Sequence, residues 1–257
     1  MLVAGAPAWA QEQAAPAASV QASEAPALAA AASLRYALDE IAQRFEKETG
    51  KSVKLTYGAT GNLVSQIQAS APFQVLFAAD DKSVKKLAAA GLTDGEPVVF
   101  ARGELSIAAP KDSPVGVDSD LKGLKEALAA GKVKHVAIAN PETAPYGRAA
   151  QEALEKAGLL EQAKPLFVTG ENIGQAATFV STGAAEVGFI AKSLAISKEI
   201  APKINSAVVP QALYGPINHG LAIVKGAGPV AKAFVEFVRG PKGREVLEAS
   251  GFSVPTS

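Results

Sequence analysis

The stretch VVFARGELSIAAP, residues 98–110, decides how the rest of the chain is read. It is a long, extended, largely apolar run with no helical period, and a second run of the same kind occupies residues 207–225. Placed inside one sheet, the two runs are further strands of a single large sheet. Placed as crossings, they divide the chain into a lobe of residues 27–101 and 214–257 and an inserted lobe of residues 102–213.

The flanking sequence favours two lobes. APALAAAA is followed by a helical pattern from Ser33 to Gly50, with Leu34, Ala37, Leu38, Ile41 and Phe45 on one face and Gly50 suited to the left-handed position that ends a helix. SVKLTY precedes a helix expected to begin near Asn62. FQVLFAA leads into DDKSVKKLAAAG, with Asp80 as N-cap and Gly91 as stop. Beyond residue 110 the alternation resumes with the helix of DLKGLKEALAAG, the strand HVAIAN and the helix of PYGRAAQEALEKAG. PLFVTG, the helix of ENIGQAATFVSTG, and EVGFIA follow. HGLAIVKG and helices from Pro229 to Arg239 and from Pro241 to Ser250 close the chain. Strands alternating with helices argue for mainly parallel sheets flanked by helices, so the expected class is α/β.

Bulk composition excludes several functions. The 257 residues are 48% hydrophobic and carry 25 basic against 25 acidic side chains. The length is enough for two cores, and the charge balance gives no basic surface for nucleic acid or an anionic membrane. The absence of cysteine removes disulfides, thiolate zinc sites and lipid-modified cysteine anchors. MLVAGAPAWAQ reads as a signal-peptide remnant over residues 1–10, ending in the small-x-small pattern Ala8-Trp9-Ala10. Residues 11–26, rich in Ala, Gln, Ser and Pro, read as a disordered leader. Nothing later is long and apolar enough to span a bilayer, so an exported, soluble protein is expected.

Enzyme chemistry finds no foothold. His135 and His219 are far apart and lack the spacing of a zinc hydrolase; each reads as a strand-edge or turn histidine. No G-x-S-x-G elbow is present, and YGATGN at residues 57–62 lacks the Gly-Lys-Ser/Thr end of a P-loop. Asp80-Asp81 is explained by a helix cap and dipole.

What recurs instead is the helix beginning: Ser33, Thr60-Gly61, Ala79-Asp80, Pro145-Tyr146-Gly147 and Glu171-Asn172-Ile173. Each leaves backbone N–H groups without an intrahelical partner, in the partly positive field of the helix dipole. Singly, Ser33 and Thr60 are ordinary caps and Tyr146 is a packing ring. In doubly wound sheets such beginnings meet at the carboxyl ends of strands, where ligands bind. Together they make a cleft of donors suited to a fully deprotonated tetrahedral oxyanion. Bonds to a charged group are worth about 1.5–3 kcal/mol each, so several suffice for micromolar binding without a buried cation. A proton on the ligand finds no acceptor there, which disfavours phosphate against molybdate, tungstate or sulfate.

AAASL, QIQASAPF, LFAADDKSVKKLAAAGL, NPETAPYGRAAQEAL and GFSVP, in order across nearly all of residues 29–254, resemble the periplasmic molybdate-binding proteins of ABC transporters. The resemblance implies a two-lobed periplasmic binding protein fold, each lobe a mainly parallel sheet, with the ligand in the inter-lobe cleft. It implies a monomer that is not an enzyme, takes molybdate or tungstate, and hands it to a membrane permease, with no cofactor and no metal apart from that of the oxyanion. The family's ligand positions fall on Ser33 and Thr60, through hydroxyl and N–H, and on Tyr146 and Ile173, through backbone N–H; Leu34 and Ala79 are secondary positions. The alternative is a sulfate-like oxyanion, or a ferric ion held by Tyr36, Tyr57, Tyr146 and Tyr214. Three departures stand out: Ala191 where some members carry tyrosine, with Tyr146 offering its phenol instead; Gln74 where aspartate is usual; and an opening strand of alanines, whose pairing is expected to be weak.

Overall fold

A computed structural model describes residues 25–255; the signal-remnant reading and nearly all of the leader reading lie outside the described residues. The first part of the chain forms β1 (Ala27–Ala31), α1 (Arg35–Thr49), β2 (Lys54–Gly58), α2 (Thr60–Gln68), β3 (Phe73–Phe77), α3 (Asp81–Ala89) and β4 (Val98–Gly103). The middle forms β5 (Leu105–Pro110), α4 (Lys122–Ala129), β6 (Val136–Ala139), α5 (Pro145–Lys156), α6 (Leu160–Ala163), β7 (Phe167–Gly170), α7 (Ile173–Ser181), β8 (Val187–Ala191), α8 (Lys192–Ala195) and β9 (Ile204–Val208). The chain ends with β10 (Ile217–Ile223), α9 (Pro229–Arg239) and α10 (Pro241–Ala249).

The strands form two five-stranded sheets, ordered β2-β1-β3-β10-β4 and β7-β6-β8-β5-β9. In the first sheet β1 pairs in parallel with β2 and β3, and β10 runs antiparallel between β3 and β4. In the second, β6 pairs in parallel with β7 and β8, and β5 runs antiparallel between β8 and β9. Each sheet therefore has four strands pointing one way and one opposed, and the opposed strand is the one that follows a crossing from the other sheet.

The run at residues 98–110 is not one strand. It breaks at Glu104, with β4 on the first sheet and β5 on the second. The return is made by residues 209–216, and the two crossings are pinned together where the Leu105 N–H donates to Tyr214 Oη at 3.0 Å. β9, INSAV, is a strand that the apolar pattern does not mark, because it lies at the sheet edge with exposed polar residues.

Local chemistry sets most boundaries. Gly50 adopts φ +67° and its N–H closes α1 on the Glu46 carbonyl. Asp80 caps α3 by accepting from the Ser83 N–H at 2.7 Å, and Asn172 caps α7 by accepting from the Gly174 and Gln175 N–H groups. α2 begins at Thr60, two residues before the expected Asn62. The alanine strand β1 is paired along its length on both sides, because ladder bonds come from the backbone and the helices above and below bury it. Gln74 stitches β3 to the turn before α9, its Oε1 accepting from the Gly228 N–H at 2.8 Å.

The core of the first sheet is aromatic: Phe45 packs edge-to-face on Phe234 and Phe237, and Phe77 on Phe100 and Phe234. Such pairs add about 0.5–1.5 kcal/mol to the burial of the rings. This fixes α1 and α9 on the sheet and so fixes where the α1 beginning points.

Candidate functional site

A small cavity of about 10 Å³ lies where the two sheets meet, lined by Ala31, Ala32, Ser33, Gly58, Ala59, Thr60, Ala79, Ala144, Pro145, Tyr146 and Ile173. That is about the room a single water molecule needs, so the two sheets close tightly around it. No charged side chain lines it. Ser33, Thr60, Ala79, Tyr146 and Ile173 all reach it, and Ser33, Thr60, Tyr146 and Ile173 are each 4% exposed or less. Leu34 does not line it; its side chain is buried in the core.

Two residues come from the first sheet's side. Ser33 sits inside a 3-10 turn, Ala32–Leu34, that precedes α1, and it does not cap that helix. Its hydroxyl oxygen is instead hydrogen-bonded to His219 Nε2 at 3.1 Å. Thr60 is the first residue of α2 and its Oγ1 accepts from the Ala79 N–H at 3.0 Å. The Ala79 amide is thereby spent on Thr60, and because an N–H can only donate, the Thr60 proton is left for another acceptor.

The facing donors come from α5 and α7. Pro145 brings no N–H, and the Gly147 and Arg148 amides both donate to the Ala144 carbonyl, which leaves the Tyr146 amide. Asn172 occupies the Gly174 and Gln175 amides, which leaves that of Ile173. The Tyr146 phenol runs back toward Gly103 and His219, its oxygen buried, without a well-formed hydrogen bond and with the Ser33 hydroxyl as polar neighbour. Burial pushes its pKa up, so the phenol stays protonated.

The seam around the cavity is closed. The Ser193 hydroxyl donates to the Ser33 carbonyl at 2.7 Å, the Gly61 N–H donates to the Thr143 carbonyl at 2.9 Å, and Arg148 pairs with Asp80 at 2.7 Å. Lys192 pairs with Glu104 at 2.5 Å. The two cations nearest the site in sequence are thus each held by a carboxylate.

His219 is the buried polar side chain behind the cavity whose placement the sequence reading missed. It is not a strand-edge or turn residue: it lies within β10, an interior strand, and is completely buried. Phe252 and Phe100 meet its ring edge-to-face. Burial pushes its pKa down to about 4, against a smaller opposing effect of the Ile217 carbonyl; its Nδ1 makes no well-formed hydrogen bond. Its partner Ser33 is remote in sequence, so no local pattern could have found it. The phenols named for iron do not gather. Tyr57 donates to Asp39 at 2.6 Å, Tyr214 accepts from Leu105, and among the described residues no three His, Asp or Glu side chains cluster.

Two sheets joined by two crossings, with a donor-lined cavity at their seam, define a bilobal ligand-capture protein of the kind that closes around small solutes. The chain belongs to the bacterial extracellular solute-binding protein family, whose model matches residues 26–253. The molybdate-binding protein ModA of Azotobacter vinelandii is 41% identical over 88% of this chain and 89% of its own length. That of Rhodobacter capsulatus is 37% identical over 87% and 86%. The solved structure of the Azotobacter vinelandii periplasmic molybdate-binding protein superposes with a TM-score of 0.80, at 31% identity, over 90% of this chain and all of that one.

Proposed function

We propose that this protein binds molybdate or tungstate in the periplasm and delivers it to the permease of an ABC transporter. The observation that carries the reading is the cavity at the seam, which offers hydroxyls and first-turn amides from both sheets and no charged side chain. A dianion with four bare oxygens satisfies such donors, and Coulomb attraction to the helix ends offsets part of its desolvation. Ser33 and Thr60 supply hydroxyls, Tyr146 and Ile173 supply amides. The expected boundary at residues 101/102 moves to Glu104, because Arg102 and Gly103 pair with β10; the first sheet, through Gly103 and again from Ile217, acts as one lobe and the second, Leu105–Val208, as the other, closing on the anion as a monomer, with no cofactor and no catalytic step. The relatives named above support the same cargo.

Calorimetric titration with molybdate, tungstate, sulfate, phosphate and ferric citrate tests this. Molybdate and tungstate bind at micromolar Kd or tighter and phosphate far more weakly. Sulfate binding tighter than molybdate, or heat from ferric citrate alone, overturns the reading.

A further inference from the structure

We propose that Gly61 and Asp80 are positioning residues that clamp the ligand-facing start of α5 onto the first lobe and so set how slowly a captured anion leaves. The inference rests on the oxyanion reading of the cavity. Ala144, Pro145 and Tyr146 line the cavity from the second lobe, and the segment that carries them is tied to the first lobe on both sides. Ahead of it, the Thr143 carbonyl accepts from the Gly61 N–H at 2.9 Å. Behind it, Arg148 donates to Asp80 Oδ2 at 2.7 Å.

Both ties are firmly mounted. The Thr143 and Ala144 N–H groups donate to the Asn140 carbonyl and Asn140 Oδ1 accepts from the Glu142 N–H, so the Thr143 carbonyl is held by its own turn. Across the seam, Leu63, Val64 and Ile67 bury α2 against the first sheet. A Cβ on Gly61 would stand 3.1 Å from both the α-carbon and the carbonyl oxygen of Thr143, closer than ordinary contact. With both sides held, a side chain at position 61 is accommodated by moving the lobes apart. Asp80 serves two partners with two oxygens: Oδ1 caps α3 on the Ser83 N–H while Oδ2 takes Arg148. Its side chain is 15% exposed against 44% for Arg148, so the carboxylate is the fixed half of the pair and the guanidinium the arm that reaches it. The Gly61 amide is a first-turn N–H of α2, open to an anion by its position, yet it is spent on protein. These bonds therefore add to the closed state without touching the ligand. They are formed after the anion has entered, so they act on its departure and leave its arrival alone.

The test measures release of radiolabelled molybdate into an excess of unlabelled molybdate from the parent, Gly61→Ala and Asp80→Asn, beside calorimetry and urea unfolding of the ligand-free chains. Alanine is a better helix former than glycine, and asparagine caps as well as aspartate, so neither variant is expected to lower the urea midpoint. Each is expected to speed release about three- to tenfold at an unchanged association rate, weakening Kd by the same factor. With Arg148→Met already in place, Asp80→Asn is expected to speed release no further. A parental release rate in either variant, or a urea midpoint that falls in step with affinity, overturns the proposal. A parent that binds no molybdate overturns the proposed function and this inference with it, whereas a parent that binds and variants that release like it overturn this inference alone.

Discussion

At the scale of the residue, Ser33 carries more than a cap would. Because its Oγ is bonded to His219 and not to an amide of α1, Ser33→Ala leaves the helix start as it was and strands a buried imidazole nitrogen. The expected cost to the ligand-free protein is about 1–3 kcal/mol, read as a lower midpoint in urea at unchanged m value. The burial of His219 also has a pH signature. Its pKa in the fold, about 4, lies below the ordinary 6.5, so the unfolded chain takes up a proton that the folded chain resists. The stability this contributes is present above pH 6.5 and drains away as pH falls toward 4. Thermal melts across that window should therefore decline more steeply for the parent than for His219→Gln. Equal slopes would mean that the ring takes up its proton in the fold as readily as in the unfolded chain.

At the scale of the element, the join beside the crossing, at Gly103, is tight. A Cβ on Gly103 would overlap the Tyr146 phenol oxygen and stand 2.8 Å from His219 Cε1, so β4 passes under the α5 tyrosine only as glycine. Gly103→Ala is expected to hold the sheets apart: small-angle scattering with saturating molybdate should give a larger radius of gyration than the parent, and affinity should fall at least tenfold. A compact, tight-binding variant would show that the ring swings aside freely. The elements also show what the sequence reveals and what it hides. Gly50, Asp80 and Asn172 act through bonds to backbone a few residues away, so α1, α3 and α7 were legible in the residues themselves. The break at Glu104 was not, because β4 and β5 are both apolar and extended and one residue separates them; only pairing partners distinguish a bend from a change of sheet. The same holds at the cavity. Helix beginnings could be read off the chain, but the Ser33–His219 bond joins segments that meet only after folding.

At the scale of the whole molecule, charge is kept at the rim. Arg148 is committed to Asp80 and Lys192 to Glu104, so attraction to the anion is expected to be short-ranged and buried. Molybdate affinity should stay within about threefold between low and physiological ionic strength; a steep fall would mean that one of these cations leaves its carboxylate for the ligand. The two crossings described above also bear on the order in which the molecule assembles. Strands β5 to β9 form one uninterrupted stretch whose ends already lie together, Ser106 beside Val208. The other sheet cannot be completed until the last part of the chain arrives, because Phe77 of β3 waits for Leu221 of β10 and Arg102 waits for Ser253. Closing that long loop is easier once the insert has folded and drawn its ends together. A chain emerging N-terminus first thus holds β1 to β3 with an unpaired edge while the insert is made. Pulse-labelled hydrogen exchange during refolding should find the β6 and β8 amides protected before those of β3 and β10. Simultaneous protection would make the molecule a single folding unit.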